Sequence, residues 1–203
     1  VLRKFVRDNP SRFDRRTGVT VAPVVTMQMP AEPNEKSFYE ELLGSLQAPY
    51  RQGHTVGVLR RASRDLLGLM GARMLIIDEV HSLLAGTYRQ QRIMLNTLRF
   101  LANDLKIPLV CAGTADARRA LVTDQQLADR FEAIELVAWR NDDSFGRFLA
   151  CYQTILPLRK PSDLTSNQVR RILLDLTEGI TVRVVRLIES LAITAIRSGR
   201  EKI

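Results

Sequence analysis

Cysteine is nearly missing from this chain: 203 residues carry only Cys111 and Cys151. Two isolated thiols cannot make a disulfide framework or a zinc cluster, and such sparing use suits a reducing cytoplasm. Long apolar runs are missing too. The best stretch, residues 66–77, is broken by Arg73, well short of the roughly 18 residues a membrane span needs. The opening VLRKFVRDNP has no apolar centre and no small-residue cleavage site, so it does not read as a signal peptide. Acids are in deficit, 22 against 30 Lys and Arg, which leaves a net charge of +8. That excess suits a polyanionic partner. Arginine supplies most of it, and its planar fork favours phosphate and carboxylate.

What is present is an ordinary globular balance, 45% hydrophobic and 26% charged, on a length that buries its own core. Residues 1–8 read as the tail of a helix closed by Asn9-Pro10, followed by a polar loop. Residues 19–29 read as a strand ended by Pro30 and Pro33. Helical spacing covers 37–46 and 56–70, the latter with Leu59, Ala62, Leu66 and Met70 on one side and Arg60, Arg61 and Arg64 on the other. Residues 74–77 are a short continuous apolar run of the buried parallel type. A long helix follows, with Met94, Leu98, Leu101 and Leu105 on one face. Residues 109–113 read as a second buried strand and 133–139 as a last one, with Asp116 and Asp124 as helix N-caps between them. Strands alternating with helices predict an α/β fold with a parallel sheet covered on both faces. Beyond Trp139 the pattern becomes helical at 145–155, 168–176 and 182–196. This predicts an α/β core over 1–140 and a small α-helical appendage over 141–203.

The sharpest chemical signal is MLIIDE, residues 74–79. It ends a buried strand in two acids at the carboxyl edge, where α/β sheets bind ligands. Successive side chains on a strand diverge, so the two acids are free to do separate jobs. Asp78 suits a Mg²⁺ ion, which prefers hard oxygen ligands, and Glu79 suits a water that attacks a γ-phosphate. A strand ending in a solvated acidic turn is the bland reading of the same residues. Thr114 follows the next strand, Arg130 precedes the run at 133–139, and Arg183 opens a late helix. Arg118 and Arg119 compete with Arg130, and Arg186 with Arg183, as phosphate-facing arginines. His81 reads as a helix-start residue, His54 as a loop residue, and Trp139 as core. The Arg60/Arg61/Arg64 face could track a DNA backbone or simply be solvated.

In this order and spacing the residues resemble the AAA+ ATPases. MLIIDE matches Walker B, Thr114 sensor 1, the DRF at Arg130 the arginine-finger box, and Arg183 sensor 2 in a helical lid. Within that superfamily the chain is similar to the TniB group of transposition ATP-binding proteins, relatives of TnsC and of phage Mu's B protein. QMPAEP (28–33), LQAPYR (46–51), RQQRIMLNTLRFLANDLKIPLVCAGTADA (89–117), TDQQLADRFE (123–132) and Trp139 carry the likeness. Sensor 1 is often Asn in AAA+ proteins and is Thr114 here. No GxxxxGK[ST] occurs anywhere in the chain, so the amide cradle and lysine that grip the β- and γ-phosphates are not among these residues. The non-Met start leads us to expect a Walker A segment, and the strand before it, just upstream of Val1; a degenerate, nucleotide-free homologue is the alternative.

The resemblance implies an AAA+ parallel sheet with flanking helices plus a small C-terminal lid. It implies an ATPase that uses ATP and Mg²⁺, with Glu79, Arg130 and Thr114 catalytic and Asp78 and Arg183 binding metal and nucleotide. It further implies a cytoplasmic regulator of DNA transposition that assembles as a ring or filament on DNA, largely regardless of sequence. Such a protein recruits or regulates a transposase and has no membrane partner. Alternatives are a helicase- or clamp-loader-like motor, or an inactive adaptor acting through protein contacts. The 203 residues alone are expected to be inactive, for want of the P-loop.

Overall fold

The computed structural model describes residues 2–122 and 128–203. It divides into two compact units, Val1–Ala133 and Ile134–Ile203.

The first unit opens with helix α1 (Leu2–Asp8) and two short strands, β1 (Arg12–Asp14) and β2 (Val19–Val21). These pair antiparallel, Arg12 opposite Val21 and Asp14 opposite Val19. The stretch expected as a polar loop is therefore half of a hairpin. Gly18 at φ +68° supplies the turn, a conformation glycine adopts without steric cost, and its N–H donates to the Asp14 carbonyl at 2.8 Å. The single strand expected over 19–29 is also corrected, because Pro23 separates β2 from β3 (Val24–Gln28). Proline has no N–H to give a ladder; its carbonyl instead accepts from the N–H groups of Arg73 and Met74.

Strands β3, β4 (Met74–Asp78) and β5 (Leu109–Cys111) form a parallel sheet in the order β3-β4-β5. Central β4 buries Leu75, Ile76 and Ile77 in succession, so both of its faces are covered, as the unbroken apolar run predicts. Edge strand β3 buries Val25 and Met27 and exposes Thr26 and Gln28. Helices α2 (Glu35–Ser45), α3 (Val56–Leu69) and α4 (Tyr88–Leu105) supply Phe38, Leu42, Leu59, Leu67, Met94 and Leu98 to the core with Leu75 and Ile77. In α3 the buried line runs Leu59–Ser63–Leu67, with Ala62, Leu66 and Met70 on its half-buried flank. Helix α4 starts on a reciprocal capping box: Gln90 N–H donates to Thr87 Oγ1, and the Thr87 N–H donates to Gln90 Oε1 at 2.8 Å. Both orphan donors are thereby satisfied locally.

Helix α5 (Ala115–Val122) follows β5 directly. Asp116 lies inside its first turn, paired with Arg119, and does not precede the helix as an N-cap would. The Asp124 cap lies outside the described residues. Residues 133–139, expected as a strand, pair with no strand and belong to no regular element. A strand exists only through the hydrogen bonds of a neighbour, and none of the described strands pairs with this run.

The second unit is helical: α6 (Asp143–Gln153), α7 (Asn167–Thr177) and α8 (Thr181–Arg197). They close on Phe145, Leu149, Leu164, Leu173, Val184 and Ile188. Asp142 caps α6 by accepting from the Phe145 N–H at 3.0 Å, which with the Ser144 hydroxyl holds its carboxyl below the usual range. Glu178 and Gly179 both take positive φ to turn α7 into α8. Gly179 also lies against Trp139, whose N–H donates to the Gly179 carbonyl at 2.8 Å. Trp139 stacks on Phe148 with centroids 5.0 Å apart. Expected as core at the end of a strand, Trp139 is instead half buried and packs against the core of the second unit from a segment with no strand.

Candidate functional site

The site is built at the carboxyl edge of β4. Parallel register sets Gln28 opposite Asp78 on one side and Cys111 opposite Ile77 on the other. Beyond the ladder, the Asp78 carbonyl accepts from the Met29 N–H at 2.8 Å, and the Val80 N–H donates to the Ala112 carbonyl at 2.9 Å. The acid pair is thus pinned from both neighbours. The topology brings Thr114, the last of three residues between β5 and α5, to the same edge.

Asp78 Oδ1 accepts from the Glu79 N–H at 2.9 Å; a carboxylate has lone pairs to spare for a cation beside that bond. Glu79 is left-handed, φ 57° and ψ 34°, a conformation that costs a non-glycine residue about 1–2 kcal/mol. Such strain persists where the surroundings over-determine it and clusters at functional sites. It swings Glu79 off the strand line at the start of a 3₁₀ turn (Val80–Ala85), and its side chain is half exposed.

One partner of Glu79 was not expected. His81 Nδ1 lies 3.2 Å from Glu79 Oε2. The distance suits an ion pair once the ring is protonated, yet this buried nitrogen makes no hydrogen bond. Gly113 permits the arrangement: a Cβ there would stand 3.3 Å from His81 Nδ1 and 2.9 Å from the Ala117 Cβ. The sequence signal was a glycine closing a strand beside a His two residues after the acid. On β5, burial pushes the Cys111 thiol up to about 12.

The other candidates make contacts of their own. The Arg130 guanidinium donates to Asn103 Oδ1 near the end of α4. Arg183 opens α8 in the second unit and pairs with Glu178 Oε2 at 2.8 Å. Arg60 lies over the Phe100 ring, 4.9 Å from its centroid, and Arg64 pairs with Asp104 at 3.6 Å. Those two therefore hold α3 to α4, and Arg61 alone of the three is exposed without a partner among the described residues. His54 stays in its loop, where Nδ1 accepts weakly from the Arg51 N–H at 3.5 Å. No cluster of three or more metal-ligating side chains occurs among the described residues, so any divalent ion would rest on Asp78 with water or ligand oxygens. The acid pair fits the metal and water end of such a site. The phosphate cradle has no counterpart in these 203 residues.

The parallel sheet flanked by helices matches an AAA+ fold of the ORC type. The Aeropyrum pernix ORC2 protein, solved as ADPNP–ADP complexes, matches it with a TM-score of 0.63 and 17% identity, over 93% of this chain and 51% of that one. This chain spans about half the length of that protein, and at such identity the likeness concerns the fold. The family described as Bacterial TniB protein matches residues 1–141, and the chain belongs to that family. A search of curated proteins gave no match. Among the described residues no helix is long and apolar enough to cross a membrane.

Proposed function

We propose that this chain works in a cytoplasmic, ATP-dependent regulator of DNA transposition, which assembles on DNA as a ring or filament and recruits or regulates a transposase. The observation that carries the ATPase reading is the acid pair at the carboxyl edge of β4, with Glu79 held in a strained left-handed turn. Asp78 is the carboxylate placed to hold Mg²⁺, and bound ATP·Mg²⁺ would supply the phosphoryl group for hydrolysis. Glu79 orients and polarises a water, which its exposed carboxylate can reach. Thr114 at the neighbouring strand end helps to position that water. Arg130, exposed beside α4, serves a nucleotide on an adjacent subunit, where arginine neutralises transition-state charge. Arg183, in the α-helical lid over 141–203, addresses the γ-phosphate. The +8 charge and the TniB membership support DNA as the polyanion.

Glu79→Gln in the protein carrying this chain tests the assignment. Gln keeps the shape and loses the charge, so phosphate release should fall by about 10²–10⁴-fold while nucleotide affinity stays within about twofold of the parent. Undiminished turnover removes Glu79 from the reaction.

A further inference from the structure

The +8 charge is not spread evenly. Residues 2–21 hold Arg3, Lys4, Arg7, Arg12, Arg15 and Arg16 against only Asp8 and Asp14, a net +4 and so half the total in a tenth of the chain. We propose that the β1–β2 hairpin, with the adjoining end of α1, is the surface that grips the sugar–phosphate backbone of duplex DNA. It rests on the DNA-binding reading above and names the surface responsible.

Three observations carry it. First, all six cations are exposed, and only two acids stand among them. Asp14 is engaged inside the turn, where it accepts from the Arg16 N–H at 2.9 Å. Asp8 meets only Arg7, at 3.9 Å with both side chains largely exposed. Arg3, Lys4, Arg12, Arg15 and Arg16 have no carboxylate within ion-pair distance among the described residues.

Second, the cations sit on a formed element. The ladder and the Gly18 turn fix the tip, so Arg15 and Arg16 stand exposed on a preorganised turn. A hollow lined by Asp8, Asn9, Pro10, Arg12, Val21 and Pro23 joins the helix end to the hairpin base as one surface. Phe13, opposite Thr20 in the register, keeps 65% of its area exposed. An aromatic standing among arginines gives an apolar contact for sugar and base edges beside the phosphate contacts.

Third, the rival basic face is partly engaged. On α3, Arg60 lies over Phe100 and Arg64 pairs with Asp104, leaving Arg61, whereas among the described residues no ion pair or ring contact engages Arg12, Arg15 or Arg16. Duplex DNA carries a charge about every 1.7 Å along its axis. Strands of three residues span about 10 Å, enough for the hairpin to meet several phosphates together.

The test is a salt series of binding isotherms on two unrelated duplexes. One variant carries Arg12→Gln, Arg15→Gln and Arg16→Gln. A second carries Arg→Lys at the same places, which keeps charge if the hairpin is otherwise disturbed. A third loses equal charge at exposed Arg171, Arg197 and Arg200 of the second unit. Circular dichroism confirms that each folds. With about 0.9 counterion released per phosphate contact, the Gln variant should flatten the slope of log K against log salt by about 2 to 3. Its affinity should fall by more than tenfold at low salt on both duplexes. The Lys variant and the second-unit variant should each keep the parent slope within about 0.5. Parent-like binding by the Gln variant overturns the hairpin and leaves the DNA reading standing. Equal flattening by the second-unit variant also overturns it, since charge anywhere would then suffice. A parent that binds neither duplex at any salt overturns both.

Discussion

The runs at 74–78 and 133–139 carry similar side chains and meet opposite fates. In the first, Leu75 and Ile77 are fully buried. In the second, Ile134 is 84% exposed and Leu136 80%. What separates them is neighbours: β4 has a parallel partner on each side, while the later run has none among the described residues. Apolar β-branched sequence makes a segment able to be a strand, and the ladder beside it makes it one.

The contrast is breakable by substitution, and the largest effect should come from the buried member. Ile77→Ala should cost about 2–5 kcal/mol, the usual penalty for removing a buried aliphatic side chain. Leu136→Ala should stay within about 0.5 kcal/mol. Urea denaturation of both variants checks this, and comparable losses would mean that 133–139 is packed in solution.

A second comparison sets two positive-φ glycines against each other. At Gly179 a Cβ would run into the Trp139 carbonyl oxygen, whereas at Gly18 nothing lies within 4 Å. Gly18→Ala should therefore cost only the left-handed penalty of about 1–2 kcal/mol. Gly179→Ala must add a backbone clash to it and should cost more. Trp139 is the only tryptophan, so its fluorescence reports the second unit directly. A Gly179→Ala melt no worse than that of Gly18→Ala would contradict the close approach.

The smallest effect contrasts the two cysteines. Burial disfavours the Cys111 thiolate, raising the thiol to about 12, while Cys151 is exposed. Because the thiolate is the reactive form, iodoacetamide at pH 8 should label Cys151 and spare Cys111 until the chain is unfolded. Mass spectrometry of the labelled chain settles which thiol reacts.

Legibility followed how local the cause was. Four consecutive apolar residues ending in Asp78-Glu79 were enough to place β4, its burial and the acid pair. Helices α2, α3 and α4 were readable from their spacing, and α4 also carries its own capping box in Thr87 and Gln90. The hairpin was missed because RFDRR is mostly charged; only Gly18 and the later pairing of β1 with β2 make it a ribbon. Asp116 sits two positions past the capping place, since α5 already begins at Ala115.

By itself, the sequence determined the parallel α/β class, the strand that ends in paired carboxylates, the change to helices after Trp139, and the +8 charge. Each follows from side-chain chemistry repeated at a local period. The tertiary structure alone decided which run became a strand, that Arg60 and Arg64 meet α4 while the hairpin arginines have no ion pair among the described residues, and that His81 faces Glu79 past Gly113. Those outcomes depend on hydrogen-bond partners, charges and close contacts supplied by residues distant along the chain, which no local pattern encodes.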